Sequence, residues 1–96
     1  MKTKHGTLEV VATATTTKAE VADALDWAGL PEAVPTWLWG RIRSGWCKLA
    51  KYLPTSPNAT KKACLVLVSG ETVTVVQELV WREATNSIVL ETAHDL

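Results

Sequence analysis

Residues 35–54 read PTWLWGRIRSGWCKLAKYLP, a proline-bracketed stretch holding three of the five tryptophans in a chain of 96 residues. Pro35 suits the first turn of a helix and Pro54 ends the pattern. With Leu38 as origin on a helical wheel, Leu38, Ile42, Trp46, Leu49 and Leu53 share an arc of about 80°, with Trp39 just beyond it. The spacing predicts a helix over residues 35–53. Gly40 and Gly45 each weaken it by about 1 kcal/mol relative to alanine, so a break at Ser44-Gly45 into two shorter helices is the alternative. Opposite the apolar arc, at about 220–300°, lie Trp37, Arg41, Lys48 and Lys51, with Tyr52 at the border.

The flanks of this stretch supply the remaining elements. Upstream, Thr17-Lys18-Ala19-Glu20 has the form of a capping box. Val21, Ala24, Leu25 and Ala28 follow at helical spacing until Gly29-Leu30-Pro31 ends the run. Glu20, Asp23 and Asp26 mark the outer face of this first helix, and Trp27 lies beside Glu20 and Asp23, off the apolar stripe. Before it, residues 7–15 alternate as a strand, with Leu8, Val10, Ala12 and Ala14 on one face.

Downstream, residues 55–62 read as an exposed loop around Ser56-Pro57-Asn58. Residues 63–69 contain the apolar run Cys64-Leu65-Val66-Leu67-Val68, typical of a strand covered on both faces. Gly70-Glu71 is turn-like, and the β-branched run Thr72–Val76 favours a strand over residues 72–82. A turn at 84–86 leads into a last strand at 87–92. The order β-α-α-β-β-β predicts an α+β fold, two helices packed on one face of a mainly antiparallel four-stranded sheet.

Size and composition bound what such a chain can do. With 47% apolar and 21% charged residues it is ordinary globular protein, and its length allows one domain spanning residues 1–96. No stretch approaches the roughly 18 apolar residues of a membrane span. Glu9 interrupts the apolar run behind Lys2 and Lys4, so a secretory leader is not expected. Without export the sequon Asn58-Ala59-Thr60 has no meaning. Cys47 and Cys64 are too few for a disulfide framework and read as buried reduced thiols, which places the protein in the cytoplasm.

Catalytic constellations are lacking. His5, Cys47, Cys64 and His94 have no metal-site spacing, so no metal and no cofactor are expected. Cys47, placed mid-helix and away from the apolar arc, has no base near it in sequence, and His5 and His94 fall in the tails. Neither a nucleophile elbow nor a phosphate-cradling glycine loop occurs. The chain does not read as an enzyme.

Charge layout and tryptophan are the informative features. Ten basic residues balance ten acidic ones. Residues 33–70, however, carry Arg41, Arg43, Lys48, Lys51, Lys61 and Lys62 with no acid, a local charge of +6 between ends of −2 and −4. Such polarity suits an electrostatically oriented partner. Trp39, Trp46 and Trp81 fall on apolar faces and are assigned to the core, whereas Trp27 and Trp37 fall outside it. Trp37 has two roles open to it: stacking on Arg41 one turn away, or anchoring an interface.

The expected function is a non-catalytic protein-binding module, an inhibitor or adaptor of the size phages and mobile elements use against host complexes. Its binding surface would comprise Trp27, Trp37, Arg41, Arg43, Lys48, Lys51, Tyr52, Lys61 and Lys62. One alternative is nucleic-acid binding through the basic 41–62 segment, with Trp37 or Tyr52 stacking on bases. Another is a homo-oligomer, a homodimer first among them, pairing its basic middle with acidic ends.

Overall fold

Thr17 opens the first helix, α1 (Lys18–Trp27), as an extended N-cap. Its hydroxyl oxygen accepts from the Glu20 amide at 3.3 Å and donates to Glu20 Oε1 at 3.0 Å. A cap of this kind contributes about 1 kcal/mol. The helix ends in a Schellman motif: the Leu30 and Gly29 amides donate to the Leu25 and Asp26 carbonyls, both at 3.0 Å, with Gly29 at φ +75°. Cap and stop thus sit where the sequence put them.

The computed structural model describes residues 2–30, 33–59, 61–76 and 91–92. After α1 comes α2 (Thr36–Arg43), and then strand rather than helix. The strands β1 (Gly6–Ala12), β2 (Lys48–Pro54), β3 (Cys64–Ser69) and β4 (Thr72–Val75) form an antiparallel sheet in that spatial order. The two-residue β5 (Glu91–Thr92) lies beside β4. The four main strands and two helices give the α+β order β-α-α-β-β-β, with both helices on one face. No helix among the described residues is long and apolar enough to cross a membrane. The continuation of the 72–82 strand beyond residue 76, Trp81, the turn at 84–86 and residues 87–90 lie outside the described residues.

The helix expected over 35–53 is corrected. It stops at Arg43, and residues 48–54 pair with β1 and β3. Leu49 and Leu53 fit a helical arc, but they are also alternate residues of a strand. Because Leu49, Ala50 and Tyr52 are all buried, β2 shows no alternation of apolar and polar residues to betray it.

The sheet is packed on both faces. On the helix side Ala12, Leu49, Leu65 and Leu67 meet Val21, Ala24 and Leu25 of α1 and Leu38 and Ile42 of α2. Leu8, Ala50, Tyr52, Cys64, Val66 and Val73 form a separate cluster on the other face. β3 contributes to both, as its unbroken apolar run predicts. The expected single stripe of β1 is corrected as well. A bulge between Val10 and Ala12 sends Ala12 to the helix-side core opposite Leu49, while Leu8 stays on the far face and Val10 is 51% exposed. The loop after β2 is tied down, since the Thr55 and Ser56 amides both donate to the His5 carbonyl, at 3.0 and 3.1 Å. His5 is therefore anchored rather than part of a loose tail, and His94 lies outside the described residues.

Gly6 sits against the Tyr52 ring at the edge of the far-face cluster. A β-carbon there would lie 2.6 Å from both the Leu53 carbonyl oxygen and Tyr52 Cε2. An aromatic ring laid over a strand glycine is a recurrent stabilising device. Gly6→Ala is expected to lower unfolding stability by about 1–3 kcal/mol through overpacking. Gly40→Ala, whose β-carbon meets nothing within 4 Å, is expected to raise it by up to about 1 kcal/mol. Denaturant unfolding of the two variants checks this; equal effects at the two sites would contradict the packing described for Gly6.

Candidate partner-binding site

The end of α2 builds the most exposed aromatic feature of the described chain. Gly45 has φ +80°, a conformation that admits glycine and few other residues. Its amide donates to the Ile42 carbonyl at 3.1 Å, and the Cys47 amide reaches back to the Arg41 carbonyl at 3.3 Å. The Ser44 hydroxyl donates to the same Arg41 carbonyl at 3.1 Å and accepts from the Trp46 amide at 3.4 Å. This tight reversal drops Cys47 into the helix-side core and starts β2 at Lys48. Trp46 is left outside, 68% exposed, with its carbonyl accepting from the Ser69 hydroxyl at 3.3 Å.

Arg41 completes the feature. Its guanidinium carbon lies 5.2 Å from the Trp37 ring centroid and 5.6 Å from that of Trp46. The Trp37–Arg41 stack is the one-turn contact that the sequence spacing allows. The second ring, Trp46, arrives only because the chain reverses at Gly45. Cation–π contacts of this kind contribute about 0.5–1 kcal/mol each at exposed sites. Arg41 is half-buried and its side chain makes no hydrogen bond or ion pair with a described residue. A third cation–indole contact links β2 to the end of α1, with Lys51 Nζ 4.7 Å from the centroid of Trp27, which is 41% exposed.

Several site expectations change. Trp46, assigned to the core, is the most exposed of the described tryptophans. Trp37, expected outside the core, is half-buried and packs against it, as does Trp39. Trp27 is exposed as expected. Tyr52 is withdrawn from the surface altogether: it is 0% exposed in the far-face cluster. Cys47, expected to face away from the apolar residues, is buried among them.

The single basic helix face is replaced by two groups of cations. Arg41 and Arg43 lie on α2 and Lys48 starts β2 nearby, whereas Lys61 and Lys62 precede β3 at its Tyr52–Cys64 end. At about 3.3 Å per residue, Lys48 and Tyr52 are separated by about 13 Å along β2. Lys48 and Lys51 differ by an odd number of strand positions and therefore point to opposite faces, Lys51 to the helix side. Arg43, Lys48 and Lys62 are exposed.

Cys47 and Cys64 are buried thiols, and they belong to the clusters on opposite faces of the sheet. Burial pushes the Cys47 thiol up, with Arg41 opposing that shift. Among the described residues no three His, Cys, Asp or Glu side chains converge as a metal site would require. No known family model matches the chain, and no curated protein or solved structure matches it.

Tyr52, the chain's one tyrosine, provides a spectroscopic check on the far-face packing. Its hydroxyl has no hydrogen-bond partner among the described residues. Burial raises its pKa, the neighbouring Cys64 adds to the rise, and Lys61 opposes it. The folded state thus holds the neutral phenol more tightly than the unfolded chain does. The associated stability is complete below the ordinary tyrosine pKa of about 10 and is lost as pH rises through the higher folded value. Absorbance titration should show tyrosinate forming late and together with unfolding. Tyr52→Phe should reduce the alkaline loss of stability relative to wild type; an ordinary tyrosine titration in the folded protein would contradict this burial.

Proposed function

We propose that this chain is a non-catalytic protein-binding module that docks through the surface formed by Trp46, Trp37 and Arg41. The observation that carries the reading is Trp46, an indole 68% exposed yet held over a cation at the end of a capped turn. Tryptophan and arginine are enriched among interface hot spots, and an anchor already fixed in place loses little freedom on binding. Arg43 and Lys48, exposed at the two ends of the turn that carries Trp46, add positive charge to this end of the molecule that helps to orient a partner at long range. The buried placement of both thiols is compatible with a cytoplasmic protein, and the small size suits an inhibitor or adaptor of the phage or mobile-element type acting on a host complex.

Nucleic-acid binding is less well supported. Its cations would have to include Lys61 and Lys62, which lie toward the other end of β2 and β3, and its stacking residue Tyr52 is buried. A phosphate track draws on several cations along one path.

Affinity capture from lysate, with and without nuclease, tests the reading. The wild-type chain should capture a protein irrespective of nuclease treatment. Trp46→Ser should weaken capture at least about tenfold, as expected for loss of a hot spot, whereas Lys62→Ser should leave it unchanged. Capture abolished by nuclease, or unaffected by Trp46→Ser, would overturn the proposal.

A further inference from the structure

Arg41 is held in a way that leaves its chemistry unfinished. A guanidinium carries five N–H donors in one plane and has no acceptor of its own. Two indole rings lie against it, at 5.2 and 5.6 Å from their centroids. Rings restrain and partly dehydrate the cation but supply no in-plane oxygen acceptors, so at this half-buried position its donors are left to water until a partner's oxygens replace it. No described residue supplies such acceptors either. Residues 33–70 contain no acid at all. Glu71, exposed on the turn between β3 and β4, makes no ion pair with Arg41.

Building on the protein-binding reading above, we infer that the donor edge of Arg41 is a receptor for a carboxylate on an acidic segment of the partner protein. An Asp or Glu side chain offers two oxygens at the spacing of the guanidinium fork, and the pair forms two parallel charge-assisted hydrogen bonds. An apolar residue beside that carboxylate covers the open part of Trp46. Arg43 and Lys48, exposed at the two ends of the turn but directed away from Arg41, add only longer-range attraction for further acids in the segment. Phosphate can also form a bidentate pair with a guanidinium fork. A nucleic acid, however, would need a continued row of cations, whereas Lys51 is engaged over Trp27 and Lys61 and Lys62 lie at the far end of the strand pair.

The test is an NMR titration of the full chain with acetyl-Glu-Glu-Leu-Glu-Glu-amide, its Gln-for-Glu counterpart, and an oligothymidylate. The acidic peptide should move the Arg41 Nε–H signal and the Trp37 and Trp46 indole N–H signals. It should bind at least about tenfold more tightly than the neutral peptide, in line with a charge-assisted pair. Arg41→Lys keeps the charge but removes the fork, and should lose most of that preference. Equal response to both peptides, unchanged binding by Arg41→Lys, or tighter binding of the oligothymidylate would overturn the inference. The neutral-peptide comparison needs no altered protein, so the test stands even where a variant folds poorly. Lysate capture that requires Trp46 but is indifferent to Arg41→Lys would remove the carboxylate receptor while leaving the protein interface intact.

Discussion

The positive φ of Gly45 is the constraint on which the functional surface rests. Without a residue able to take +80°, the chain at the end of α2 would continue as helix, as the apolar spacing of residues 38–53 otherwise invites. With it, the chain reverses over a few residues. Cys47 enters the helix-side core, Lys48–Pro54 becomes the second strand of the sheet, and Trp46 stays at the surface. The same turn brings Trp46 to a cation already stacked on Trp37. Fold and candidate site thus have one local cause.

The sheet supports this corner by being buried twice. Helices α1 and α2 cover one face, and the cluster around Tyr52, Cys64 and Val66 lies on the other. Each fully buried Leu or Val contributes about 1.5–3 kcal/mol relative to exposure, so β2 and β3, with residues in both clusters, are a firm base for a turn that leads directly into β2. Trp46 is also tied to the end of β3 by the Ser69 hydroxyl. An exposed aromatic whose backbone is held this way has less freedom to lose when a partner covers it than one on a loose loop.

Legibility from sequence followed the clarity of local signals. α1 could be read because Thr17, Glu20 and Gly29 are capping residues whose effect is confined to one turn. β3 and the Gly70-Glu71 turn could be read because a continuous apolar run and a two-residue hairpin loop are both short-range patterns. β2 could not, since a strand buried on both faces has no polar–apolar alternation, and Leu49 and Leu53 satisfy a helical period equally well. That error carried Trp46 into the supposed core, brought Tyr52 to the surface and placed Lys48 and Lys51 on a common face with Arg41. The signal that separates the readings was present in Ser44-Gly45, where a glycine suited to a helix C-cap is followed by a tryptophan. The bulge in β1 left no comparable trace, because Val10, Val11 and Ala12 all tolerate either face. The Trp37–Arg41 stack is legible from the sequence, since it depends only on the first turns of α2.

The candidate surface requires Trp46 to be displayed to solvent while Trp37 and Trp39 are held against the core. A soluble paramagnetic agent measures this directly, by broadening each indole N–H signal according to how closely solvent approaches it. The Trp46 signal should be attenuated most among the described tryptophans, Trp27 next, and Trp37 and Trp39 least. A Trp46 signal as protected as that of Trp39 would mean that the chain does not turn outward at Gly45, and the surface proposed here would not exist.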